Sequence, residues 1–234
     1  MAPYLLQERN SIMTKQDSQL VSTIITVYNG ENYLSDAIQS VIIQDYPHIE
    51  IIIIDGGSID ESRRVAEQFG SSVRYYYQNN TGIAAAKNHG LELSKGDFFA
   101  FLDADDLWTR DKIQQQITVF NEDPTLDIVF SHVKQFHSSE LNVEEKERIW
   151  CSNKLIPGVS AGTMLIKRES FFKAGLFDTQ LRRGIFVNWY MHALEIGMRT
   201  HMLPNMHMWR RLHQTSNGIV NHDKSSDYVR MSKA

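Results

Sequence analysis

Short apolar runs alternate with amphipathic stretches along the first half of the chain. Residues 21–28, 49–54, 73–77 and 98–102 are rich in β-branched and aromatic side chains, which is typical of buried strands. Residues 33–43, 61–69 and 83–93 lie between these runs and place apolar side chains at helical spacing. The alternation predicts an α/β fold in which a right-handed, mostly parallel sheet is covered by helices on both faces.

The second half of the chain has a less regular pattern. Residues 134–148 are charged and poorly periodic, which favours a mobile loop or an exposed helix. We expect strands at 162–167 and 206–213 and a helix at 186–196. Because no internal repeat or linker separates the two halves, the sequence predicts one domain at residues 20–215. Residues 1–19 are then a polar leader and residues 216–234 a tail.

Each predicted strand of the first half is followed by polar residues. In a parallel α/β sheet the ligand lies beyond the carboxyl ends of the strands, so these segments should share one rim. The strongest chemical signal on that rim is the acidic cluster Asp103, Asp105 and Asp106. Magnesium and manganese prefer oxygen ligands, often one or two carboxylates together with phosphate oxygens. A solvated turn before the next helix is the alternative interpretation of such a cluster.

Two further segments on this rim have weaker signals. Asp55 precedes two glycines and a helix, so it either accepts hydrogen bonds from a nucleoside or belongs to an ordinary strand-to-helix turn. Tyr28 and Asn29 follow the first strand, where they either contact a base or lie on the surface.

Charge and composition narrow the choice of partners and compartment. The formal net charge of −4 argues against nucleic acid as the main partner. The single cysteine excludes an intrachain disulfide and fits a reducing, cytoplasmic location. No apolar run approaches the roughly 18–20 residues that cross a bilayer, although peripheral membrane contact is compatible with the sequence. The methionine and tryptophan content of the second half is compatible with a dimer.

The order of the motifs resembles glycosyltransferase family 2. The resemblance rests on Val27-Tyr28-Asn29-Gly30 through Leu34, on residues 50–60, on residues 80–90, and on Gly96-Asp97 through Asp106, which contains the family's DxD motif. Gly175-Leu176-Phe177-Asp178 is similar to a later family segment, so the match spans roughly residues 21–197. The resemblance implies a single-domain GT-A fold whose sheet is Rossmann-like, with residues 20–108 binding a nucleotide sugar and residues 109–215 forming the acceptor half.

The family resemblance also implies a reaction and a set of site residues. A sugar would pass, with inversion, from a nucleoside-diphosphate sugar to a hydroxyl acceptor, with Mn²⁺ or Mg²⁺ as cofactor and a UDP-sugar as the expected donor. Asp105 is the implied principal metal ligand and a catalytic residue. The resemblance also implies that Thr26, Tyr28 and Asp55 bind the nucleoside and that Lys87 contacts the nucleotide or diphosphate. Asp103 would contact the ribose or the sugar. Asp106 and His213 would contact the metal. A lone histidine is more often structural, and that alternative stands for His213.

The chain departs from the family pattern where a catalytic base is expected. Ile185 and Asn188 stand at the positions of the usual carboxylates, and neither accepts a proton. Loss of a general base typically costs about 10²–10⁴ in rate. His192 lies seven residues after Ile185 on the same helical face and is one substitute, unless it is an ordinary helix residue. Further candidate bases are Asp178, His132 and His137.

The missing carboxylate is also compatible with a weakened or engineered enzyme, with a protein that binds the donor without transferring it, and with an incorrect alignment at this position. A protein that binds without transfer is the main alternative function, namely a non-catalytic nucleotide-sugar-binding or regulatory protein of the same fold. A sugar nucleotidyltransferase and a Rossmann dehydrogenase are disfavoured, because no glycine-rich phosphate loop follows the first strand.

Overall fold

The computed structural model describes residues 19–216. The predicted leader at 1–19 and the predicted tail at 216–234 lie outside this range except for residues 19 and 216. Among residues 19–216, no helix combines the length and the apolar character needed to span a membrane.

The first half forms the alternating strands and helices that its sequence predicts. Strands β1 (Val21–Val27), β2 (Ile49–Asp55), β3 (Arg74–Tyr77) and β4 (Phe98–Asp103) are parallel and lie in the order β3-β2-β1-β4. Helices α1 (Leu34–Ile42), α2 (Ser62–Glu67) and α3 (Ile83–Leu93) connect them. The carboxyl ends of these strands therefore lie on the same edge of the sheet.

The second half extends the same sheet rather than forming a separate layer. Its strands are β5 (Leu107–Trp108), β6 (Ile128–His137), β7 (Ile156–Gly158), β8 (Leu165–Lys167) and β9 (Thr200–Leu212). Its helices are α4 (Lys112–Glu122), α5 (Val143–Arg148), α6 (Arg168–Ala174) and α7 (Ile185–Glu195). The sheet continues from β4 through β8, β6 and β9 to β5, and β7 pairs with β6. Strand β8 is antiparallel to both of its neighbours, whereas β6 and β9 are parallel to each other.

Three predictions for the second half are corrected by this architecture. Residues 134–137 belong to β6 rather than to a loop, because they pair with residues 209–212 of β9. Residues 161–163 form a short 3-10 helix, so the strand predicted at 162–167 is shortened to β8. Strand β9 begins at Thr200, six residues before its predicted start.

Buried side chains cover both faces of the sheet. Successive residues of a strand point to opposite faces, and so Ile24 and Ile25 contribute to different hydrophobic clusters. The Ile25 cluster includes α1 and α4, and the Ile24 cluster includes α6 and α7. The prediction of a sheet covered on both faces is confirmed.

Candidate donor site

A cavity of about 600 Å³ opens at the carboxyl ends of β1 and β4, next to the end of β9. Seven of the candidate site residues line it: Thr26, Tyr28, Asn29, Asp103, Asp105, Asp106 and His213. Its volume is within the range of pockets that hold a nucleotide-sized ligand.

Strand pairing brings the acidic cluster to the C-terminal end of β9. The cluster lies in the turn between β4 and β5, and Leu107 of β5 pairs with Trp209 of β9. The backbone N–H of Thr109 also donates to the carbonyl oxygen of His207 at 3.0 Å. The residues that follow Trp209 in the sequence therefore lie beside the acidic turn, more than 100 positions away along the chain.

Asp103 and Lys87 form an ion pair beside the cavity. The Lys87 Nζ atom donates to Asp103 Oδ1 at 2.9 Å, and Thr26 Oγ1 lies 3.5 Å from the same oxygen. Desolvation alone would raise the pKa of Asp103, but the Lys87 ammonium, the charge of Arg210 and the Thr26 hydroxyl together hold this pKa below its ordinary value. Lys87 is nearly buried and does not line the cavity, so its observed contact with the site passes through Asp103 and Thr26.

Asp105 and His213 also form a pair. His213 Nε2 lies 3.0 Å from Asp105 Oδ2, and His213 Nδ1 lies 2.9 Å from Thr215 Oγ1. The imidazole is nearly buried, whereas about a third of the Asp105 side chain is exposed. The two residues thus present a carboxylate oxygen and a ring nitrogen at the same place on the cavity wall.

Asp106 is nearly buried and attaches the acidic turn to β9. The Arg211 backbone N–H donates to Asp106 Oδ1 at 3.0 Å, and Arg211 Nε donates to the carbonyl oxygen of Asp105 at 3.0 Å. Burial raises the pKa of Asp106 well above its ordinary value, and the charges of Asp105 and Asp103 add to this. A cation near the turn would relieve this repulsion.

Asp55 accepts hydrogen bonds from its own loop and from Tyr75, and it does not line the cavity. Its Oδ1 atom accepts the backbone N–H groups of Gly57 and Ser58 at 3.0 and 2.7 Å, and its Oδ2 atom accepts from the Tyr75 hydroxyl at 2.7 Å. The carboxylate is 1% exposed. These contacts shape the loop that follows β2, and contact with a nucleoside stays a prediction. Tyr28, in contrast, is 58% exposed at the cavity rim.

Several cavity residues were not identified by sequence reasoning. They are Tyr33, Arg210, Arg211, Thr215 and Ser216. The Arg210 side chain is exposed, and its charge lowers the pKa of Asp103. The sequence does contain a signal for Arg210, namely its position next to Arg211 and three residues before His213. Paired arginines favour phosphate recognition and could have identified it as a site residue.

The expected base position is separate from the cavity lining. Ile185 is the first residue of α7, is 9% exposed and packs in the same hydrophobic cluster as Trp189. Asn188 is exposed. His192 is half exposed, with Nδ1 3.5 Å from Glu195 Oε2. None of the three lines the cavity, and a catalytic role for His192 stays a prediction.

The metal ligands implied by the sequence are only partly brought together. Among residues 19–216, no group of three or more His, Cys, Asp or Glu side chains is arranged to hold a metal ion. Asp105 and His213 converge, whereas one oxygen of Asp106 accepts from Arg211. A cation here would need ligand oxygens to complete its coordination, and substrate phosphates commonly provide them for Mg²⁺.

Solved structures show the same fold. Staphylococcus aureus TarS residues 1–349 in complex with UDP matches with a TM-score of 0.67 and 18% identity, over 83% of this chain and 61% of that chain. The complex of the same protein with UDP-GlcNAc matches with a TM-score of 0.68 and 17% identity, over 84% and 60% of the two chains. The predicted α/β fold of GT-A type is confirmed by these likenesses.

Curated relatives include an uncharacterized glycosyltransferase of Rickettsia typhi, 36% identical over 180 residues, or 70% of this chain and 55% of the relative. A Bacillus subtilis glycosyltransferase assigned by name to teichuronic acid biosynthesis is 38% identical over 107 residues, covering 44% of this chain and 42% of that protein. The chain thus spans about half the length, or less, of these relatives. The sequence profile named Glycosyl transferase family 2 matches residues 22–179. The chain belongs to glycosyl transferase family 2.

Proposed function

We propose that the protein transfers a sugar, with inversion, from a nucleoside-diphosphate sugar to a hydroxyl acceptor. The observation that carries this proposal is the convergence of two pairs, Lys87–Asp103 and Asp105–His213, on one cavity at the carboxyl ends of β1 and β4. A UDP-sugar is the proposed donor. Membership of the family and the GT-A fold support the reaction class. A cytoplasmic location, inferred from the lone cysteine, belongs to the same proposal.

We assign three cavity residues a role toward the donor. Tyr28 is exposed at the rim and offers a flat surface to a base. Asp103 has its charge stabilised by Lys87 and accepts from a ribose or sugar hydroxyl. Arg210 faces the diphosphate as the exposed cation of the cavity wall.

We propose a Mn²⁺ or Mg²⁺ ion next to Asp105. We propose that Asp105 and His213 hold the cation together with diphosphate oxygens, and that Asp106 assists through its second oxygen. When bound, such an ion neutralises negative charge that builds up on the leaving diphosphate. Arg211 holds the backbone of this turn in place, so that Asp105 is presented to the cavity before the donor arrives.

Attack by the acceptor hydroxyl requires removal of its proton. With Ile185 at the usual base position, we propose that transfer is slow or that the proton passes to another group, and His192 is one candidate. The second candidate function follows from the same observation. A buried Ile185 and the uncharged Asn188 favour a protein that binds the nucleotide sugar without transferring it.

Asp105→Asn tests the donor site directly. We expect UDP and Mn²⁺ together to raise the melting temperature of the wild-type protein, because a ligand that binds only the folded state stabilises it. The variant should bind at least about tenfold more weakly, since even indirect partners of metal ligands contribute that much. Glu122→Gln, an equal charge change at an exposed helix position, is the control. An unchanged shift for Asp105→Asn would remove Asp105 from the metal site.

Release of UDP from a UDP-sugar separates the two candidate functions. A transferase hydrolyses its donor slowly even without an acceptor, and the rate should depend on Mn²⁺. Tight binding of UDP without any turnover of UDP-sugars on a panel of acceptors would favour the binding protein.

A further inference from the structure

The wall of the cavity beyond β9 is a tight turn formed by residues 213–216. The His213 backbone N–H donates to Ser216 Oγ, and the Ser216 N–H donates to the His213 carbonyl oxygen, both at 3.0 Å. His213, Thr215 and Ser216 all line the cavity. The position of this turn therefore decides where the His213 ring meets Asp105.

A segment that follows β6 contacts this turn. Residues 138–148, the clamp segment, contain α5. Glu145 Oε1 accepts from the Gln214 side chain, and Leu141 packs with Ile149 against Leu212. Both neighbours of His213 in the sequence are thus held in place. Gln214 contacts the clamp segment, and Leu212 packs against the clamp segment and Ile149.

A second contact reaches His213 through Tyr33. The Tyr33 hydroxyl donates to Glu140 Oε1, and the Tyr33 ring lies 4.5 Å from the His213 ring, measured between centroids. The Arg211 guanidinium lies 5.0 Å from the centroid of the same phenol. Tyr33 is therefore fixed at its hydroxyl by Glu140 while its ring supports the imidazole.

The electrostatics favour a charged acceptor at Glu140. Burial alone would raise the pKa of Glu140, but hydrogen bonds from Ser138 and Tyr33 outweigh it and hold this pKa below its ordinary value. Burial and the neighbouring Glu140 raise the pKa of Tyr33 to about 12. The phenol keeps its proton and the carboxylate stays ionised near neutral pH, which makes this a charge-assisted hydrogen bond.

The clamp segment is also well formed locally. Asn142 and Glu145 make a capping box at the start of α5, in which each side chain accepts the other residue's backbone N–H. Glu145 thus stabilises α5 through Oε2 and contacts Gln214 through Oε1. A short helix that is capped in this way holds its contact points in fixed positions.

We propose that Glu140 and Glu145 are positioning residues of the donor site, which hold His213 against Asp105 although neither carboxylate lines the cavity. The inference rests on the proposed donor site and assigns the control of donor affinity to a segment of the acceptor half. A change that moves the clamp segment weakens binding of the nucleoside diphosphate.

Isothermal titration with UDP and MnCl₂ tests the proposal through Glu140→Gln and Tyr33→Phe. Phenylalanine keeps the ring against His213 and removes only the hydroxyl. Each variant should bind UDP with Mn²⁺ roughly fivefold or more weakly, as expected for one charge-assisted hydrogen bond. The double variant should bind no more weakly than Tyr33→Phe, because Glu140→Gln only weakens the acceptor of a contact that Tyr33→Phe has already removed.

Glu144→Gln is the matched control, since it makes the same change at an exposed position of the same segment. Uridine binding separates positioning from general damage. The clamp segment acts on His213 and hence on the diphosphate end, so the affinity for uridine should stay at the wild-type value in Glu140→Gln, whose side chain lies outside the cavity lining.

Equal affinities of Glu140→Gln, Tyr33→Phe and Glu144→Gln for UDP with Mn²⁺ would overturn the inference while leaving the donor site intact. Parallel losses for uridine and UDP would overturn it as well, because they would indicate a misfolded site. Failure of the wild-type protein to bind UDP, GDP or dTDP with Mn²⁺ would instead remove the proposed function on which the inference rests.

Discussion

Single residues of the donor site depend on partners that lie far away in the chain. Asp103 has its pKa lowered by Lys87, and Asp105 lies at hydrogen-bonding distance from His213. The local sequence of the acidic turn is compatible with a solvated loop as well as with a binding site, and it does not distinguish these two interpretations. Lys87 and His213 give two of the turn's carboxylates fixed partners, because a charge at a partly dry cavity needs one.

At the residue scale, Ile185→Glu tests whether position 185 is the place of the family's catalytic base. A carboxylate there is expected to activate water as well as an acceptor hydroxyl, so donor hydrolysis should increase. The expected gain over Ile185→Gln is about 10²-fold or more, measured as UDP release with Mn²⁺. Glutamine has the same size and accepts no proton, which makes it the matched control. Equal rates for the two variants would count against this alignment.

At the scale of elements, the first half follows its local pattern closely and the second half does not. Strands β1, β2 and β4 match their predicted runs to within one residue. A short, continuous apolar run between turn residues is typical of a buried strand, so its limits can be identified from the local sequence. Strand β9 begins among exposed and half-buried residues at Thr200, and its neighbours β6 and β5 determine its length. Pairing with a distant strand has no periodic signature in the sequence.

Gly90→Ala tests how closely α3 packs against β1. A Cβ atom at Gly90 would lie 2.5 Å from Ile24 Cγ2, which is far inside van der Waals contact. The substitution improves helix propensity by about 1 kcal/mol, but overpacking typically costs about 1–3 kcal/mol. We therefore expect a net loss of stability in urea unfolding.

Glu92→Ala, on the exposed face of the same helix, provides the comparison for Gly90→Ala. It should leave the free energy of unfolding within about 0.5 kcal/mol of the wild-type value. If Gly90→Ala is at least as stable as Glu92→Ala, the close approach of α3 and β1 is not present in solution.

On the scale of the whole molecule, one buried group links stability to pH. Lys112 is fully buried, with its Nζ atom 4.1 Å from the centroid of the Trp108 ring and donating to Gln116 Oε1 at 2.8 Å. Burial lowers the pKa of Lys112 well below its ordinary value of 10.5. Between the lowered pKa and 10.5, the unfolded chain binds more protons at this lysine than the folded protein does. Stability from this group therefore rises with pH through that window.

Lys112→Met removes this pH dependence. We expect the stability of the variant relative to the wild type to fall as pH rises toward 10.5, by up to about 1.4 kcal/mol per pH unit. Urea unfolding at each pH measures the difference. Lys95→Met, at an exposed lysine, should show no such trend. A constant difference for Lys112→Met would mean that the Lys112 amine is equally protonated in both states.

The sequence by itself determined the α/β class, the four parallel strands of the first half and the edge of the sheet at which the candidate donor site lies. It could do so because burial of a strand or a helix face is encoded in residues that are neighbours in the chain. Only the tertiary structure decided which distant groups complete the site: Lys87 beside Asp103, His213 beside Asp105, and Glu140 at the hydroxyl of Tyr33. These contacts join residues 16, 108 and 107 positions apart. They depend on the order and direction of strands within one sheet, which no local pattern of apolar and polar residues specifies.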